Sequence, residues 1–146
     1  MMRRDWIAGF LAIGLFLLTS CGNSPPSPRE RVLSFVRLIQ TDSLPDVLPY
    51  VDIDSLAIYE YAEAKYSALS FQDKKNRLVE GFLRQGEYRG VWSKSQIVVN
   101  LENFLDDTTA TVEVSFIDRR TRIQYYSQMG LKLRNQSWII CSFKVN

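Results

Sequence analysis

The chain's reactive side chains are few, and this limits the chemistry open to it. Histidine is absent, which removes Ser-His-Asp and Cys-His catalysis and every histidine-ligated metal site. The two cysteines, Cys21 and Cys141, stand 120 positions apart and cannot form a thiolate cluster. No phosphate-binding loop, zinc spacing, EF-hand or nucleophile elbow is present. The residues therefore assign no catalytic group, no metal and no cofactor. Cys141 sits between Ile140 and Phe143 in a strand pattern, the setting in which free cysteine is most often a small buried apolar residue. The alternatives are a reactive thiol or an intermolecular disulfide.

Cys21 has a different setting. The basic start Met1-Met2-Arg3-Arg4 leads into an apolar run from Ile7 to Leu18. A run of that length is too short for a stable membrane span, which needs about 20 residues, and the layout is that of a secretory signal peptide. Arg3-Arg4 reads as a positive leader rather than a twin-arginine signal. Leu18-Thr19-Ser20-Cys21-Gly22 then resembles the lipobox of bacterial lipoproteins. That resemblance implies diacylglyceryl transfer to the Cys21 thiol, cleavage before it, and usually acylation of the new amino group. Two or three acyl chains anchor stably where one is reversible. The expected organisation is a signal peptide over 1–20, a lipidated cysteine with a Pro/Ser linker over 21–27, and a folded domain over 28–146. The expected location is the cell envelope. With two membranes it is the outer membrane facing the periplasm, because Gly22 fits outer-membrane sorting; otherwise it is the outer face of the plasma membrane.

The remaining length fits one domain, and a net charge of +2 over 146 residues gives no nucleic-acid footprint. Ser27-Pro28-Arg29-Glu30 is a capping box with proline at the first helical position. Val32, Leu33, Phe35, Val36, Leu38 and Ile39 form a helical stripe ended by Thr41-Asp42-Ser43. Leu44 to Tyr50 reads as a short helical turn between prolines. Asp52 is expected to cap a second helix running to about Leu69. Ser70-Phe71-Gln72-Asp73 caps a third, which frays near Gly86 to Gly90. After Trp92 the hydrophobic period changes from 3.6 to 2. Turns at Asp106-Asp107-Thr108, Asp118-Arg119-Arg120-Thr121 and Asn135-Gln136 separate four strands of an antiparallel meander. Helices first and strands afterwards predict an α+β fold, with three N-terminal helices packed on one face of a curved four-stranded sheet.

This order resembles the nuclear-transport-factor-2-like, or cystatin-like, cone-shaped superfamily over about residues 28–146. The marks are the opening helix Arg31 to Gln40 and the closing strand Gln136 to Lys144 with Trp138 in it. The resemblance implies a cone-shaped pocket suited to a small apolar ligand. Its expected lining is Tyr59, Tyr66, Phe82, Trp92, Tyr125, Ser127 and Met129, with core packing as the alternative role for the aromatics. Enzymes of that superfamily use a pocket carboxylate as a base, and an Asp or Glu with a tyrosine donor is chemically open here. Glu63, Asp73 and Glu80, however, have lysine and arginine neighbours that suggest solvated helix faces. The expectation is therefore a non-enzymatic protein. If the apolar alternation faces the helices, Tyr126, Trp138 and Ile140 face outward and mark an interface with an envelope protein or a second copy of the chain. The basic turn Arg119, Arg120 and Arg122 reads as a solvated loop.

Overall fold

The computed structural model describes residues 25–41, 47–83 and 86–145. Cys21, the signal segment and the Asp42–Asp46 stretch lie outside the described residues. Among the described residues four α-helices precede four strands: α1 (Pro28–Gln40), α2 (Ile53–Glu60), α3 (Phe71–Phe82), α4 (Glu87–Trp92), β1 (Ser95–Asp106), β2 (Thr109–Asp118), β3 (Gln124–Arg134) and β4 (Ser137–Val145). No helix among the described residues is long and apolar enough to cross a membrane.

Both expected capping boxes are present. Ser27 Oγ accepts from the Glu30 amide while Glu30 accepts from the Ser27 amide, and Ser70 and Asp73 reciprocate in the same way at α3. Asp52 caps α2 by accepting from the Ser55 amide. The second helix is shorter than expected. It stops at Glu60, and only a 3₁₀ turn, Ala64–Tyr66, follows. Alanines at 62 and 64 favour a longer helix, but tertiary contacts override them. Tyr61 leaves the helix to meet the Tyr66 ring edge-on at 4.9 Å, and Glu60 turns toward β4. The stretch expected to fray after the third helix instead holds α4, with Gly86 at its N-cap.

The sheet runs in the order β1-β2-β3-β4, all neighbours antiparallel. Its turns are local polar devices. Asp106 accepts from the Thr108 amide and hydroxyl, and Asp118 accepts from the Arg120 and Thr121 amides. Asn135 and Gln136 both take positive φ, 48° and 62°, as a two-residue hairpin requires.

Of three register shifts, the one between Phe104 and Asp106 lies beside the β1–β2 turn, and the other two decide which side chains face the helices. On β1 the shift between Val99 and Glu102 inserts an extra residue opposite β2, and Leu101 there is 77% exposed. On β4, Gly130 pairs with Ser142 but Leu131 pairs with Ile140, so Cys141 is the extra residue of a bulge. Side chains alternate along a strand, so one inserted residue moves everything before it to the other face. Trp138 and Ile140 therefore point into the core, 6% and 0% exposed, and not outward as simple alternation requires. Tyr126 keeps its outward position and is 47% exposed.

Six rings fill the space between helices and sheet. Phe35, Phe82, Tyr88, Trp92, Phe116 and Phe143 are linked by centroid distances of 5.1–6.2 Å. Burying such side chains stabilises the fold by about 2 kcal/mol each.

Both edges of the sheet are taken up in part by the helices and their flanks. Arg29 on α1 donates to the Asn100 and Val99 carbonyls at 2.9 and 3.1 Å, beside the β1 shift, and its amide donates to Glu102 at 2.8 Å. On β4, Arg31 donates to the Trp138 carbonyl at 3.0 Å, the Asp52 amide donates to the Ile140 carbonyl at 2.8 Å, and Glu60 accepts from the Phe143 amide at 2.9 Å. The α1 axis therefore has a direction along the sheet. Its start lies by Glu102 and Trp138, and its end lies by Ser95, whose carbonyl accepts from Gln40.

Candidate functional site

The side chains expected to line one cone separate into four places. Phe82, Trp92 and Met129 are core residues, 0%, 7% and 0% exposed, and the first two belong to the ring cluster. Ser127 is also interior, 1% exposed, and its Oγ has no hydrogen-bond partner. Tyr66 lies in a separate hollow of about 540 Å³ with Tyr61, Arg77 and Glu87. Tyr125 faces the helix side of the sheet opposite Phe116, but near the end of β3, where it is 46% exposed. Tyr59, 57% exposed, belongs to none of these.

Tyr59 instead borders a groove of about 590 Å³ where the end of α2 overhangs β4 and the outward face of the sheet. Its wall is Tyr59, Glu60 and Glu63, and its floor runs over Ser142, Gly130 and Thr111. Gly130 makes the floor low. A Cβ built there would stand 2.5 Å from Ser142 Oγ, so any larger residue has to turn that hydroxyl aside. Below it, Cys141 is buried and donates its S–H to the Gly130 carbonyl at 3.3 Å. Burial pushes that thiol's pKa up, so it is not a thiolate nucleophile.

Glu60 is the functional group that sequence reasoning missed. Burial raises its carboxyl pKa, and the Phe143 amide offsets this in part by hydrogen bonding. Tyr88 behind it is held well above the ordinary phenol value, by burial first and by the nearby Glu60 next. The carboxylates singled out in the sequence sit elsewhere. Glu63 pairs with Lys65 at 2.8 Å in solvent, Asp73 is committed to its capping box, and Glu80 is exposed at the Tyr66 hollow. The one signal for Glu60 was its position between Tyr59 and Tyr61, an acidic residue in an otherwise apolar turn. A partner 83 residues away along the chain leaves no mark at that distance.

The outward face beyond the groove is mixed. Val98, Leu101 and Tyr126 are exposed at 39%, 77% and 47%. Asn100 crosses from β1 to β2, donating to Glu113 and Ser115 at 3.0 and 2.9 Å. A larger hollow, about 960 Å³, lies between α4 and the β2–β3 turn and holds Lys94, Arg119 and Arg120. It opens at the opposite end of the sheet from the start of α1. Among the described residues no three potential metal ligands gather.

No protein-family model and no curated protein matches the chain. Solved structures do. A nuclear-transport-factor-2-like protein of unknown function from Shewanella oneidensis MR-1 shares 7% identity over 82% of this chain and 98% of its own, with a TM-score of 0.53. A phospholipid-binding protein from Ralstonia solanacearum shares 12% identity over 86% of this chain and 78% of its own, with a TM-score of 0.47. A Novosphingobium aromaticivorans protein, provisionally described as an aromatic ring hydroxylase, shares 7% identity over 81% and 84%, with a TM-score of 0.46. The first defines the class of domain: an α+β fold of the nuclear-transport-factor-2-like kind. At these identities the likeness is one of fold alone.

Proposed function

We propose that the chain is a lipid-anchored, non-enzymatic binding module of the cell envelope that engages protein through the outward face of its sheet, a second copy of itself being the simplest partner. The observation that carries this reading is the contrast between the two sides of the sheet. The helix side is filled by six packed rings. The other side presents the groove over Gly130 with Tyr126 and Val98 exposed beyond it. A face with exposed aromatic and aliphatic groups around a low floor is suited to a protein surface. The anchoring part rests on the lipobox-like segment ending at Cys21.

The test is native mass spectrometry of the full chain extracted from its own membranes, comparing wild type with Tyr126→Asp and Thr111→Arg. Retained dimer or complex in wild type and its loss in both variants is expected. Unchanged assembly in both removes the sheet-face reading.

A small apolar ligand inside the cone is a second reading, favoured by one observation. Ser127 Oγ is buried without a hydrogen-bond partner, and a native fold seldom leaves such a group unexplained. The same spectra decide it. A co-purified small molecule lost in Ser127→Ala supports the ligand, and a bare domain excludes it.

A further inference from the structure

We infer that the outer half of β1, with Leu101, Phe104 and Leu105, is an edge that rests in the bilayer surface beside the anchor. The inference rests on the proposed acylation of Cys21.

These three side chains are exposed at 77%, 53% and 60% on one stretch of one strand, Phe104 on the helix side opposite Ala110 and Leu105 on the other, at the rim of the Tyr59 groove. Phe104 is also braced from below, its ring meeting Trp138 edge-on at 5.8 Å. Their position relative to the start of the fold is fixed. Ser27 caps α1, and the amide of Arg29, two residues on, donates to Glu102 between Leu101 and Phe104. The chain therefore begins its fold against this part of β1. Ser27 lies only six positions after Cys21, a reach of about 20 Å when fully extended. Acyl chains on Cys21 hold this end of the domain next to lipid, and Leu48, 39% exposed, stands at the same end, next to the Pro49 carbonyl that Arg31 grips at 2.8 Å. The basic cluster Lys94, Arg119 and Arg120 lies at the opposite end and is thereby turned away from the headgroups.

The charges near the edge are of both signs. Asp106 and Asp107 cap the hairpin, and Arg29, Lys132 and Arg134 lie close behind. They offset one another, so the contact rests on the apolar side chains and needs no anionic headgroup.

The experiment reconstitutes the full acylated chain in phosphatidylcholine vesicles and places a fluorescent reporter by Leu105→Trp, by Leu101→Trp, and, at the far end, by Ile123→Trp. Brominated phosphatidylcholine quenches tryptophan that touches acyl chains. Loss of most of the added emission for the first two variants, with a blue shift, and no loss for Ile123→Trp is expected. Both β1 sites are exposed and accept the larger side chain, so either one alone is a sufficient reporter. Equal quenching at both ends, or none at either, overturns the edge. A blue shift that follows protein density and not bromination puts a second copy there and also overturns it. Intact mass of the same samples separates the two claims. Acyl chains on Cys21 with no selective quenching defeat the edge alone, whereas an unacylated Cys21 defeats the anchor and the edge with it.

Discussion

Burial of Glu60 against β4 sets a direction for pH dependence. Its carboxyl pKa is raised above the ordinary 4.5, so the folded state binds that proton more tightly than the unfolded chain does. The contribution to stability is complete below the ordinary value and is lost as pH rises through the raised one. Glu60→Gln keeps an acceptor for the Phe143 amide and removes the charge. Thermal unfolding between about pH 4 and about pH 8 should then show a flatter profile than wild type, with the variant at least as stable at neutral pH. Glu60→Ala leaves the Phe143 amide without its partner and should cost about 1–3 kcal/mol across the same range. Residues of this kind were the least legible in the sequence. Glu60, Ser127 and Gly130 have roles set by partners on other elements, and nothing within a few positions of each announces them. The caps were the opposite case. Ser27 with Glu30, and Ser70 with Asp73, are local chemistry and are present as the spacing requires.

At the scale of elements, strands and turns could be read from hydrophobic period and turn residues, but facing could not. The Cys141 bulge carries no glycine or proline signature. It exists because β4 must pair with β3 and also deliver Trp138, Ile140 and Phe143 to one core. Trp138→Ala should therefore behave as a core truncation. A loss of about 3–5 kcal/mol in chemical denaturation is expected, with oligomeric state unchanged while the variant is folded. The β3–β4 turn offers a gain in the other direction. Gln136 at φ 62° occupies a conformation that glycine takes without strain. Gln136→Gly makes the Asn-Gly pair preferred in such hairpins, and should raise the melting temperature by an amount equivalent to about 0.5 kcal/mol. The helix boundaries after Glu60 and after Phe82 were misjudged for a related reason. After Glu60 the alanines favour continuing the helix, while ring packing by Tyr61 ends it; after Phe82 the glycines at 86 and 90 favour fraying, while Tyr88 stacked on Phe82 holds a new helix.

At the scale of the molecule, the two faces and two ends of the sheet divide the work. The helix side supplies cohesion, the outward face is the proposed contact surface, and the end holding Ser27 faces the proposed anchor. The groove floor of Thr111, Gln128 and Ser142 around Gly130 is uncharged, Glu113 is already engaged by Asn100, and Glu63 on the wall is paired with Lys65. Assembly through this face should thus survive raised salt in sedimentation, whereas a contact made by Lys94, Arg119 and Arg120 would weaken. The occupied margins of the sheet have one more consequence. Arg29 along β1, and Arg31, Asp52 and Glu60 along β4, take up main-chain groups that an exposed edge would offer to another strand. Proteins crowded in two dimensions on a surface meet one another often, and open strand margins there would template fibrils. With β4 gripped and β1 taken up at Val99 and Asn100, the open stretch left is the outer half of β1, which the proposed anchor would turn into lipid, so a domain held in that way can stand at high density as discrete particles.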